Sequence, residues 1–260
     1  MFNCNRDMGI NHIKARKDHK CYGMGIGVMI VDDVYPGFPG DVRNASAFPY
    51  PIQYEIIEDV DLEQLQCNTD NIVEPILKTA KKLEIMGCRA ITAECGYFAY
   101  FQKAVAGSVN VPVFMSSLLQ VPFIQRVIGP NKDVGIVCAY KESLSERHLN
   151  NVGIETDSNY LIAGSMDEYY CSEFHNLWSW YKRPDPPEIY YDKAEAQMVK
   201  TCVEFYEKNP SIGAIMLECT GMQPFARAIQ REVDLPVYSW GTLFDYIYSV
   251  VAHRDYYGHV

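Results

Sequence analysis

Residues 90–96 read AITAECG and residues 214–220 read AIMLECT. In each stretch an alanine stands five positions before a cysteine and a glutamate directly before it. In each, a proline follows the cysteine by 17 positions, Pro112 in VPVF after Cys95 and Pro236 in LPVY after Cys219. Two unrelated segments would not share both spacings, and internal repetition is read before any single motif. The unit is a buried apolar strand ending in Glu-Cys, a helix, and a short Pro-Val-aromatic strand.

Working outward, GIGVMIV (25–31) and DVGIVCAY (133–140) are the opening strands of the two copies, each with a small residue early in an apolar run. In the first copy a Pro/Gly-rich loop, VYPGFPGDVRNASAFPYP (34–51), is too long for a simple turn and marks a functional loop. A polar segment follows it. Then comes a helix, NIVEPILKTAKKLEIMG (71–87), with Asp70 or Asn71 as N-cap and Gly87 as stop. In the second copy a helix begins between Ser143 and Glu146, and an aromatic insertion from Asp157 to Asp192 has no assigned structure. The helices KAEAQMVKTCVEFYEKNP (193–210) and GMQPFARAIQREV (221–233) flank the strand carrying Cys219. The fold class is α/β: two pseudo-symmetric lobes with parallel sheets and a cleft between them. The boundaries are a tail at 1–24, lobe 1 at 25–118 plus 236–260, and lobe 2 at 119–235.

In parallel α/β sheets, ligands bind beyond the carboxyl ends of the strands. Cys95 and Cys219 both stand there, so a pseudo-twofold axis brings the thiols face to face. A helix N-terminus lowers a thiol pKa. A thiolate and a thiol on opposite sides of a small carboxylate form a two-base device for proton transfer at carbon. Backbone N–H groups at Gly96, Thr220 and Gly221 suit the developing enediolate, and small residues admit the ligand to the backbone. Ser116 and Ser117 offer hydroxyl donors, while Asp32, Asp33, Tyr35 and Tyr97 line the site. Glu94 and Glu218, by strand alternation, point away from it and read as structural residues, with tuning of the thiol pKa as the alternative.

Composition excludes several other classes. The chain of 260 residues carries 23 Lys and Arg against 33 Asp and Glu, a net charge of -10. Its basic footprint is confined to HIKARKDHK (12–20), too little for nucleic acid. No apolar run reaches the roughly 20 residues of a membrane span, and no leader-like segment opens the chain, so the cytoplasm is expected. The nine cysteines include no CxxC or HExxH spacing, so no metal and no cofactor are expected. Cys88, Cys138 and Cys202 fall in apolar patterns as packing residues. Cys67 reads as a loop residue, and Cys4, Cys21 and Cys171 have no assigned role. GMGIG (23–27) precedes its strand, unlike a dinucleotide loop.

ITAECGYFA (91–99), VPVFMSSLLQVP (111–122) and LECTGMQPFARAIQ (217–230) with LPVY resemble the aspartate/glutamate racemase superfamily. They are most similar to the branch reading CGF and ECT-x-M, which includes the algal-type dimethylsulfoniopropionate lyases. The resemblance spans about Gly25 to Tyr248. It implies flavodoxin-like lobes, no pyridoxal phosphate or metal, opposed acid/base cysteines, and a C-terminal helix that returns to lobe 1. Gly96 and Tyr97 replace the CNT pattern of the best-known racemases, and ECTG replaces GCT with an acid, which argues against an acidic amino acid as substrate. The first expectation is therefore a cofactor-independent racemase or epimerase of a small carboxylate. A lyase of the same superfamily is the alternative, and a non-catalytic binding protein is the third reading. The aromatic insertion also leaves a homo-oligomer as an expectation.

Overall fold

The computed structural model describes residues 12–66, 70–254 and 256; Cys4 and Cys67 lie outside them. The first half comprises β1 (Ile26–Val31), β2 (Ile52–Ile57), α1 (Leu62–Gln66), α2 (Val73–Ile85), β3 (Ala90–Ala93), α3 (Gln102–Ala106) and β4 (Val113–Phe114). After α4 (Val121–Ile128) come β5 (Asp133–Cys138), α5 (Glu146–Asn151), β6 (Tyr160–Gly164), α6 (Ser172–Trp178) and α7 (Tyr191–Lys208). The chain then forms β7 (Ile212–Leu217), α8 (Ala226–Val233), β8 (Val237–Tyr238) and α9 (Trp240–Val251).

The strands form two four-stranded parallel sheets of matching order, β2-β1-β3-β4 and β6-β5-β7-β8. The match extends to register. Gly27 pairs with Ile91 and Gly135 with Ile215, each isoleucine four residues before its cysteine. Both glycines answer the same need: a Cβ at Gly27 would press on Leu83 of α2 and Cys88, and one at Gly135 on Ile212 and Ile215.

Three buried clusters fill the molecule. One joins the facing sides of both sheets, with Met29, Ile91 and Ala93 from the first and Val134, Ile136, Ala214 and Met216 from the second. A second packs α6, α7 and α8 on the outer face of the second sheet. In the third, Trp240, Leu243, Phe244 and Ile247 of α9 cover Ile26, Val28 and Ala90 on the outer face of the first sheet. Burial of large apolar side chains on both faces of each sheet, at about 1.5–3 kcal/mol each, is the main source of stability.

Some local expectations are revised. The polar segment before α2 contains β2, an edge strand with partly exposed residues, and the unplaced insertion contains its counterpart β6 together with α6. Edge strands lack the continuous apolar run of a central strand, so the pattern hid them. Neither Asp70 nor Asn71 caps α2; the cap position is Ile72, without a side-chain hydrogen bond. Gly87 does end it, at φ +90, where a Cβ would strike the Cys21 carbonyl. The helix near Ser143 starts after Ser145, whose side chain forms a reciprocal capping box with His148.

Candidate active site

Strands β3 and β7 stop at Ala93 and Leu217, so Glu94–Cys95 and Glu218–Cys219 lie just past their carboxyl ends. Each cysteine is extended and opens a six-residue 3-10 helix, Gly96–Phe101 or Thr220–Phe225. Both cysteines line one small cavity of about 40 Å³. Its walls come from both halves: Val31, Asp33, Tyr35, Glu94 and Tyr97 from the first, and Ala139, Trp178, Glu218 and Thr220 from the second. About 40 Å³ holds a few waters. A depression of about 790 Å³ lies elsewhere, between residues 16–20 and α2, with neither cysteine pair member in its wall.

Segments are exchanged across the cleft. The 34–51 loop reaches the second half, where Phe38 stacks on Phe225 with ring centroids 6.1 Å apart. Gly40, at φ +96, lies against Pro224. In return, Arg183 of the second half donates to both oxygens of Asp33, at 2.7 and 2.5 Å, while within the second half Trp178 packs so tightly on Gly221 that no Cβ fits there. The Tyr97 hydroxyl donates to the Tyr140 carbonyl at 2.9 Å and accepts from its N–H at 2.8 Å. Thr220 Oγ1 donates to the Glu94 carbonyl at 2.8 Å.

The two glutamates differ sharply in surroundings. Arg43 holds Glu94 through both carboxylate oxygens, with Nη2 2.6 Å from Oε1, and the Val31 N–H donates to Oε1 at 2.6 Å. Arg43 also donates to the carbonyls of Val31 and Asp33, and its guanidinium lies 4.5 Å over the Tyr35 ring. Burial pushes Glu94 upward, while Arg43 and the Val31 N–H oppose it. A bidentate guanidinium favours the ionised carboxylate. Glu218 is 1% exposed, and neither of its oxygens has a hydrogen-bond partner. Burial alone pushes it up to about 8.

Both thiols are raised well above their ordinary range, first by burial and next by Glu218. The N–H groups of Tyr97 and Gly221 act the other way on Cys95 and Cys219, without the alignment of capping hydrogen bonds. The expected lowering by a helix N-terminus is thus overturned. The following turns are short 3-10 segments with little dipole, and desolvation outweighs them.

Of the residues singled out from sequence, Cys95, Cys219, Tyr35, Tyr97 and Thr220 meet at the cavity. Asp33 joins them in the wall, whereas Asp32, named with it, is exposed and outside the lining. Gly96 and Gly221 are outside the lining, and a Cβ at position 96 would collide with the Glu218 carboxyl. Ser116 and Ser117 are fully buried. Ser116 accepts from the Leu118 N–H, and Ser117 Oγ contacts the Leu217 and Glu218 carbonyls at 3.2 Å. Glu94 and Glu218 line the cavity, contrary to the alternation argument, because they stand beyond the strands where alternation ends. Trp178 and Arg43 carried no sequence signal beyond their residue types. Among the described residues, no group of His, Cys, Asp and Glu is arranged to hold a metal ion, and no helix is long and apolar enough to cross a membrane.

The arrangement defines a class: a two-lobed α/β protein with one cysteine from each repeat in a shared cleft. Solved structures give the class its fold. Unliganded arylmalonate decarboxylase superposes with a TM-score of 0.54 at 16% identity, covering 91% of this chain and 96% of that one. A glutamate racemase from Bacillus anthracis gives 0.51 at 13%, covering 89% and 85%. The fold is that of the aspartate/glutamate racemase superfamily, as the motifs led us to expect. Among curated proteins, a dimethylsulfoniopropionate lyase from Durusdinium sp. clade D is 28% identical over 235 residues, covering 85% of this chain and 73% of that protein. Dimethylsulfoniopropionate lyase 3 of Emiliania huxleyi is 26% identical over 223 residues; the match covers 82% of this chain and only 56% of that longer protein. No family model matches the chain.

Proposed function

We propose that the chain is a cofactor-independent lyase that removes the α-proton of a small carboxylate and expels a β-leaving group, with dimethylsulfoniopropionate as the substrate to test first. The observation that carries the reading is the shared cavity, with one cysteine from each repeat and no Lys, Arg or His in its lining. Its wall is aromatic and acidic, through Tyr35, Tyr97, Trp178 and Glu218. Such a surface suits a cationic group such as a sulfonium and disfavours a second carboxylate. The named activity of the sequence relatives supports the same choice.

In this reaction a thiolate takes the α-proton and the C–H electron pair becomes the Cα–Cβ double bond. The Cβ–S bond breaks, its electrons neutralise the sulfonium, and dimethyl sulfide and acrylate leave. Backbone N–H groups at the strand ends stabilise the charge that builds on the substrate carboxylate. A racemase is the second reading, favoured by the twofold equivalence of the thiols, since a reprotonating acid would stand on the opposite face.

Dimethyl sulfide in the headspace over protein and dimethylsulfoniopropionate supports the lyase; inversion of D- or L-amino acids, followed by circular dichroism, supports the racemase instead. Cys95→Ser and Cys219→Ser should each lower turnover by about 10²–10⁴-fold, the range for loss of a positioned base or acid. Full activity in either variant removes the paired-thiol mechanism.

A further inference from the structure

We infer that Glu218 is a third proton-carrying group of the cavity, exchanging one proton with the Cys95 thiol and so generating the thiolate from which the reaction starts. This rests on the acid/base reading of Cys95 above. Three observations carry it. Glu218 is 1% exposed, and both its oxygens lack partners, although a buried polar group is almost always hydrogen-bonded. It crosses the cleft to lie against Gly96, the residue after Cys95, where only glycine leaves room for its carboxyl. It lines the cavity with both thiols.

Its counterpart in the repeat, Glu94, is anchored by Arg43 and the Val31 N–H, so an unpaired carboxylate is not what this strand end requires for folding. Glu218 also meets no cation. The titratable groups around it are Cys95 and Tyr97 from the first half and Cys138 and Cys219 from the second. Arg43, which also lies near the cavity, is committed to Glu94.

Burial raises a thiol and a carboxyl alike, because each resists carrying charge in a dry site. Two such groups in one buried cavity hold one negative charge between them at lower cost than two. With one proton on the pair, the proton passes from Cys95 sulfur to a Glu218 oxygen by way of water in the cavity, since neither oxygen is hydrogen-bonded to a thiol, giving thiolate and carboxylic acid; total charge is unchanged. Abstraction of the substrate α-proton returns Cys95 to the thiol. Elimination yields one proton per turnover, so the Glu218 acid proton then passes to solvent and the pair is reset. Glu218 positions a proton through Cys95.

The test needs no substrate. Alkylation of Cys95 by iodoacetamide, read by peptide mass spectrometry across pH, reports its thiolate, with the partly exposed Cys21, outside the cavity, as the internal reference. In the unmodified chain the midpoint should fall near pH 8, where the Cys95–Glu218 pair loses the first of its two protons. In Glu218→Gln the proton has only solvent to go to, so the midpoint should rise by at least about one unit, and alkylation at pH 8 should slow at least about fivefold. An unchanged midpoint overturns the inference. So does a lowered one, which is what removal of a mere negative neighbour would give. Should the variant not fold, infrared spectra of unmodified chain with ¹³C in its glutamate side chains decide. A protonated-carboxyl band that persists as the pH rises past 8 supports the inference; one that fades there, or is absent at pH 7, overturns it. If dimethylsulfoniopropionate proves not to be a substrate, the alkylation profile still stands or falls by itself.

Discussion

Glu94 and Glu218 occupy the same place in two copies of one unit, yet one is held at every oxygen and the other at none. The strand ends themselves are equivalent in backbone form, both extended at the cysteine and both opening a 3-10 turn. What differs is the segment brought in from outside the unit. The 34–51 loop delivers Arg43 to the first strand end, whereas the second receives the apolar ring of Trp178 over Gly221. A duplicated scaffold therefore fixes where two thiols and two carboxyls stand, and unduplicated loops decide which carboxyl is a structural ion and which is a titrating group.

The largest expected effect breaks the anchored side. Arg43→Met leaves Glu94 as a buried charge without its partner, and loss of one member of a buried pair costs about 3–5 kcal/mol. Denaturation at pH 7 should show that loss, and Arg43→Met combined with Glu94→Gln should recover much of it through a positive coupling in the double-mutant cycle. A cost below about 1 kcal/mol would mean that the pair behaves like a solvated surface pair, and the contrast between the strand ends would lose its basis.

The next effect concerns the free side and has a sign fixed by linkage. Glu218 is raised from 4.5 to about 8 in the folded chain. Between those values the folded protein keeps a proton that the unfolded chain has lost, so stability falls as pH rises through the window and levels off above it. Glu218→Gln removes that dependence. The variant should match the unmodified chain near pH 5 and exceed it by roughly 3 kcal/mol near pH 8. Asp41, pushed by burial up to about 7, adds a similar slope to both proteins and drops out of the difference. Equal stabilities across pH 5–8 would place the Glu218 titration in the unfolded range and remove the asymmetry.

Much of this was legible in the sequence because the information is local. An apolar run that ends twice in Glu-Cys, with the same 17-residue spacing to the next strand, gives the central strands and the positions of both thiols. Edge strands were hidden: Ile52–Ile57 contains Gln53, Tyr54 and Glu55, and Tyr160–Gly164 sits inside an aromatic stretch with no clear alternation. The state of each glutamate was hidden for a deeper reason. The identities Glu94 and Glu218 stand in matching motifs, and what separates them is a contact between residues 51 positions apart, Arg43 and Glu94, for which no periodicity exists. The thiol pKa was misjudged in the same way. A strand-to-helix junction is visible in sequence, but the desolvation that outweighs it comes from a cavity closed by walls from both halves.

The smallest effect tests whether the two strand ends are mechanically coupled. Thr220 stands where the first copy has Gly96, directly after the cysteine. Its hydroxyl crosses the cleft to the carbonyl of Glu94, tying the second motif to the backbone of the first. Thr220→Val keeps the side-chain shape and deletes that donor, leaving a buried carbonyl short of one hydrogen bond. A net cost of about 1 kcal/mol is expected, measurable as a lowered denaturation midpoint with unchanged slope. The same change in an Arg43→Met background should cost less, because the Glu94 backbone is then no longer held in register by its own ion pair and the hydroxyl has a looser target. If the two costs add instead, Thr220 and Arg43 act on independent parts of the structure, and the tie across the cleft contributes packing without coupling the two strand ends.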